Sequence, residues 1–143
     1  MAKMTVEQLE TFLAEAFPQM NDLNLRVEEV RARYLRARIV TSEKNLRPGG
    51  TIAGPTMMAM ADCVVWLAII ATLGRGEEAV TTNLNINFMK RPGPADLIAE
   101  ARLLKLGRRL AVGDVMIYSD DGSDGADHPV AHATLTYAIP DPG

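Results

Sequence analysis

The alternation of apolar and polar positions divides the chain into two helices and six strands. Thr5 to Phe17 reads as an amphipathic helix, with Val6, Leu9, Leu13 and Ala16 on one face at helical spacing. Thr5 and Gln8 make a capping box at its start, and Pro18 stops it. In "DLNLRVEEV", Leu23, Leu25 and Val27 alternate with polar residues, and in "RYLRARIV", Leu35, Ala37 and Ile39 alternate with Arg36 and Arg38. Both read as strands. Thr41 to Gly50 reads as a polar loop turning at Pro48, Gly49 and Gly50. Late in the chain, "TTNLNINFM", "DLIAEARLL", "LAVGDVMIY" and "VAHATLTYAI" carry four more strand patterns, with "DDGSDGADHP" as a surface loop before the last.

Between these groups lies "RPGGTIAGPTMMAMADCVVWLAIIATLG", Arg47 to Gly74. From Thr51 to Leu73 its single charge is Asp62. Gly54 reads as the N-cap and Pro55 as the first helical residue; Gly74 and Gly76 end the element, giving a helix over about 54–73. The apolar run Met57 to Leu73 is shorter than the roughly 20 residues of a membrane span and holds an aspartate, so it reads as a helix buried in protein. Strands joined by short turns favour an antiparallel sheet, whose apolar face wraps this helix. A helix apolar all round cannot be covered by one sheet face. A homodimer, or a homotetramer built as a dimer of dimers, is therefore expected. With no repeat, low-complexity tract or linker, residues 1–143 read as a single α+β domain.

Composition narrows the function. The 143 residues are 48% hydrophobic and 23% charged, which suits a globular chain with a sizeable core. A net charge of -3 disfavours a nucleic-acid binder. Cys63 is the only cysteine, so no intrachain disulfide forms and a reducing cytoplasm is the natural setting. The N-terminal stretch carries Glu7, Glu10 and Glu15 and lacks the apolar core of a targeting signal.

Few residues have the chemistry of a site. Asp62, in apolar surroundings, has its charged form disfavoured and becomes a stronger base. It could activate a water or attack a carbonyl. It could equally cap a neighbouring loop or pair with an arginine of a partner chain. The helix start at Gly54 offers free N–H groups to developing negative charge, and glycine lets a carbonyl approach closely. Gly54–Pro55 is also an ordinary way to begin a helix. Thr81 could hold a water or the carboxylate, or simply be a strand residue. Arg91, Arg108 and Arg109 suit phosphates, or sit solvated in turns. Cys63 lies about 100° around the helix from Asp62 and reads as a buried small hydrophobe off its face. Trp66, one turn beyond Asp62, reads as a pocket wall or as core. His128 and His132 lack ligand spacing, so no metal and no cofactor is assigned.

The segment "RPGGTIAGPTMMAMAD" resembles the loop-and-helix motif of the hotdog-fold thioesterases, in the phenylacetate-pathway (PaaI-type) branch. There the loop reads N-x-x-G-x-x-H-G-G, and an aspartate follows on the helix. Gly50 and Gly54 match motif glycines, and Asp62 falls at the spacing of the family's catalytic aspartate. Thr81 sits where some members carry a hydroxyl residue. "NLNINFMKRPGPAD", with Phe88 and Arg91, and "KLGRRLAVGDV", with Gly107, Arg108 and Arg109, are similar to segments that bind coenzyme A in relatives. The resemblance implies a curved antiparallel sheet around a long helix. It also implies hydrolysis of acyl-CoA thioesters, with Asp62 as base or nucleophile and Gly54 polarising the carbonyl at a subunit interface. The chain departs from the motif in having Arg47 for the asparagine, on the substrate side, Ala53 for the histidine and Pro55 for the second paired glycine. Hotdog hydratases carry a histidine where Leu67 stands, and dehydratases need an active-site histidine, so neither activity fits. The competing reading is a non-catalytic acyl-CoA-binding protein that lost the loop histidine. Asp62 separates the two, since a pure binder has no need of a desolvated carboxylate.

Overall fold

A computed structural model describes residues 2–18, 23–41, 46–47, 51–122 and 127–140. The N-terminal helix α1 spans Val6–Ala16, with Thr5 as N-cap and both halves of the Thr5–Gln8 capping box formed. Leu9 and Leu13 are buried as expected. Ala16 is not: it is exposed, and the half-buried Phe12 packs against the core instead. Strands β1 (Leu25–Arg31) and β2 (Tyr34–Ile39) follow as an antiparallel hairpin. The loop expected over Thr41–Gly50 contains β3 (Leu46–Arg47), which pairs with β4 (Thr51–Ile52). The turn residues Pro48, Gly49 and Gly50 lie outside the described residues, as do residues 123–126 of the loop before the last strand.

Helix α2 spans Gly54–Leu73, then come β5 (Val80–Phe88), β6 (Asp96–Leu106), β7 (Leu110–Asp120) and β8 (Ala131–Ala138). The N-cap of α2 is Ala53, one residue earlier than the sequence suggested. Gly54 is thus the first helical residue and Pro55 the second. Pro55 fits either place, because neither N–H has an intrahelical acceptor. At the other end Gly74 adopts φ +73 and donates its N–H to Ile70 O at 2.7 Å, a left-handed close that glycine takes without strain. The helix is 20 residues long and apolar enough to cross a membrane. Length therefore does not exclude a span, as the shorter apolar run suggested, but most of its surface is buried in this fold.

The six long strands form one antiparallel sheet in the order β1-β2-β6-β7-β8-β5. Alternation sends Leu35, Ala37, Ile39, Leu97, Ala99, Ala101, Val115, Ile117, Ala133 and Leu135 inward, where they are buried around α2. On the outer face Arg38 bonds Glu28, Asp96 and Asp120, joining four adjacent strands. The sheet leaves one stripe of α2 open. Pro55, Met58 and Ala59 are exposed, and Asp62 and Trp66 are half-buried. These positions recur at helical spacing on a single face. The lone charge of α2 lies on the one face the sheet does not cover. β5 borders this stripe as an edge strand, pairing with β8 alone among the described residues.

Candidate active site

Asp62 is fixed by two hydroxyls from the sheet. Thr81 Oγ1 donates to Asp62 Oδ1 at 2.6 Å, and Tyr137 Oη donates to the same oxygen at 2.5 Å and to the Asp62 carbonyl at 2.8 Å. No bond to Oδ2 is formed among the described residues. Thr81 and Tyr137 are register partners on β5 and β8. The pairing then slips between Thr81 and Asn83, so Thr82 is an extra residue. Strict alternation back from the inward Leu84 would point Thr81 outward. The bulge reverses that parity and aims its hydroxyl at α2. Asp62 has no arginine partner among the described residues: its described partners are neutral donors.

Tyr137 was not singled out from the sequence. Its signal was faint: an aromatic hydroxyl at an inward position of the last strand. Burial first, and then its bond to the Asp62 carboxylate, push its phenol far above the usual range, so it stays a neutral donor.

The carboxylate opens on a cavity of about 610 Å³, lined by Phe12, Phe17, Asp62, Cys63, Trp66 and Thr81 among others. That volume suits a small-molecule site. Cys63 was expected on a different face from Asp62, yet both line this cavity, because it wraps around the helix. Burial, with a smaller push from Asp62, raises the Cys63 thiol to about 12, which leaves it protonated and unreactive at neutral pH. Its ordinary value is 9.0. Below that pH the thiol is neutral in both folded and unfolded chains. Between 9 and about 12 only the unfolded chain ionises it, so stability is lost as pH rises through that window. The unfolding free energy from urea titrations run from pH 8 upward should fall by at most about 1.4 kcal/mol per pH unit for this group. Cys63→Ala should flatten the early part of the fall, while the loss due to Tyr137 begins near pH 10.

The remaining expected residues lie elsewhere. Gly54 and Asp62 are eight residues apart on one helix, about 12 Å along its axis. Gly54 packs under Phe88: a Cβ there would stand 3.3 Å from Phe88 Cζ. Arg91 is exposed just beyond that end of β5. Gly107, Arg108 and Arg109 form the β6–β7 turn, where the Gly107 N–H donates to Leu110 O and the Ile139 N–H to Arg109 O. This turn lies at the Val80 end of β5, since Leu110 and Val80 both pair with Ala138. The nine residues of β5 thus separate Arg91 from Arg108 and Arg109 by about 25–30 Å. Within one chain the candidate residues fall into two separate groups: Asp62, Thr81 and Tyr137 near the arginine turn, and Gly54 with Phe88 and Arg91 at the opposite end. Arg47 lies on β3, and its side chain is outside the described set. His132 pairs with Asp114 at 3.0 Å on the outer face, away from the cavity.

A curved antiparallel sheet around one long helix defines the hotdog fold, here with a hydroxyl-held carboxylate on the open face of that helix. The chain belongs to the Thioesterase superfamily, whose family model matches residues 49–126. The structure is similar to that of a protein of Silicibacter sp. TM1040 provisionally named a thioesterase, with 40% identity and a TM-score of 0.85 over 98% of this chain and 94% of that one. It is also similar in fold to zebrafish thioesterase superfamily member 2, with 19% identity and a TM-score of 0.83 over 96% of this chain and 100% of that one. A protein of Saccharolobus solfataricus provisionally named an esterase is 29% identical over 119 residues, 83% of this chain and 75% of that protein.

Proposed function

We propose that this protein hydrolyses acyl-CoA thioesters to the free acid and CoA, as a PaaI-type hotdog thioesterase. Its site joins Asp62 of one protomer to the helix N-terminus of a second. The separation of the two groups carries this reading. No single thioester carbonyl can meet both Gly54 and Asp62 of one chain across about 12 Å. A two-fold axis that pairs two β5 edges antiparallel brings the Thr81 end of one strand against the Phe88 end of the other. The same operation covers the open stripe of α2 and the exposed Val80, Phe88 and Met89. It also places Arg108 and Arg109 of one protomer near Arg91 of its partner, so both segments can serve one coenzyme.

The chemistry then follows from charge. The partner's Gly54 N–H and the positive end of its helix polarise the thioester carbonyl. Water attacks the carbonyl carbon, and its proton passes to Oδ2, the Asp62 oxygen left free of hydroxyl donors. The oxyanion collapses, the C–S bond breaks, and the proton on Asp62 leaves with the CoA sulfur. Direct attack by Oδ2, followed by hydrolysis of the anhydride, uses the same atoms. Thr81 and Tyr137 keep Oδ2 aimed in either route. The free, buried thiol of Cys63 suits a reducing, cytoplasmic setting.

A free-thiol release assay over a panel of acyl-CoAs tests the reading. Turnover of at least one acyl-CoA is expected. Tight acyl-CoA binding without thiol release would make the protein a non-catalytic binder, in keeping with Ala53 at the motif histidine. If the arginines hold phosphates, KM for acyl-CoA should rise with salt, because the screening length is only about 8 Å near physiological ionic strength. The same acyl group on a short thiol carrier should respond little. Equal salt responses would leave the arginines solvated bystanders.

A further inference from the structure

One wall of the Asp62 cavity has no part in the hydrolysis. Phe12 and Phe17 of the α1 segment close on Trp66 of α2, with ring centroids 5.6 and 5.7 Å apart. Both separations and the tilted ring planes suit favourable aromatic pairs. All three rings line the cavity. Leu9 and Leu13 are the buried anchors of α1, whereas Phe12 packs on the core with only part of its ring and Phe17, at the C-cap, is 37% exposed. The rings therefore present apolar surface to a cavity that water would otherwise fill, and a bound apolar group would remove that surface from water. Trp66 lies one helical turn past Asp62, about 6 Å along the axis.

We propose that Phe12, Phe17 and Trp66 form the end wall of the acyl pocket and set the length of acyl group the protein accepts. The proposal rests on the reading of Asp62 as the hydrolytic residue. With the thioester carbonyl at Asp62, an acyl group running along α2 meets the indole within about one helical turn. A short chain or a single ring fits in front of it. A long linear chain must push the wall aside, and Phe17 is its weakest part, held at a helix end and open to solvent. Phe12 and Phe17 are specificity-determining residues and touch no reacting atom.

Trp66 is the only tryptophan in the chain, so its emission reports on this wall alone. Asp62→Asn protein, which does not consume the probe, is titrated with CoA, acetyl-CoA, butanoyl-CoA, octanoyl-CoA and dodecanoyl-CoA. Butanoyl-CoA should shift the Trp66 emission, and CoA alone should not. In parallel, Phe17→Ala should raise kcat/KM for dodecanoyl-CoA relative to butanoyl-CoA by about 10-fold or more, the usual scale for an apolar pocket contact. Phe12→Leu, which preserves the α1 packing, should move the ratio the same way. An unchanged ratio in both variants, or an indole equally blind to every acyl chain, overturns the proposal even if wild-type hydrolysis is intact. Conversely, a chain-dependent Trp66 signal without any thiol release by the wild type keeps the pocket and defeats the hydrolase reading.

Discussion

Asp62→Asn should lower kcat by about 10²-fold or more, the usual contribution of a positioned general base. The protein should stay folded. The amide keeps Oδ1, so Thr81 and Tyr137 still have an acceptor in the same place. What is lost is the charge on that acceptor, and a bond to a charged group is worth roughly 1.5–3 kcal/mol against about 1 for a neutral one. A loss of about 1–3 kcal/mol is therefore expected, with acyl-CoA binding retained. A carboxylate paired with a buried arginine would behave differently, costing roughly 3–5 kcal/mol when broken. The structure gives Asp62 hydroxyl partners and no such arginine among the described residues. Turnover and urea midpoint on this one variant separate the two roles. An Asn variant that keeps wild-type kcat leaves the carboxylate a structural residue.

Gly54→Leu should reduce kcat by about 10²–10³-fold, the range for removing one oxyanion donor. The Gly54 N–H sits in the first turn of α2, free of any helical acceptor. Even a methyl group there would crowd Phe88 at 3.3 Å. A leucine pushes the ring aside and stands where the carbonyl must approach. Folding should survive, because the φ of this residue is helical and Phe88 is 49% exposed and able to yield. Circular dichroism unchanged with activity lost is the expected result. A folded Gly54→Leu enzyme of normal rate would remove the helix N-terminus from the mechanism.

The fold was legible where local chemistry decides it. The Thr5–Gln8 capping box is formed as read, and Gly74 ends α2 where the sequence placed its end. Alternation in "RYLRARIV" gave the buried face of β2 correctly. Asp62 and Thr81 were picked as candidates, and the structure joins them. What escaped depends on contacts between distant segments. Tyr137 meets Asp62 across 75 positions of sequence. The bulge at Thr82 is a matter of register between β5 and β8, which no single strand encodes. Phe12 reaches Trp66 because α1 docks beside the open stripe of α2, and nothing in "FLAEAF" specifies that docking. The one-residue error at the α2 cap arose because Gly and Pro are both acceptable at either of two adjacent positions.

A mixture of two inactive variants tests the shared site most directly. Asp62→Asn and Gly54→Leu are each purified, then unfolded and refolded together, and mixed dimers are confirmed by mass. Alone, each should be nearly inert. In a mixed dimer the two lesions fall into one site, and the other site regains an intact Asp62 and an intact helix N-terminus. Random mixing gives about half mixed dimers with one good site of two, so about a quarter of wild-type activity should return. A mixture that contains mixed dimers, yet is no more active than its two components measured apart, contradicts a site built from Asp62 of one chain and Gly54 of the other.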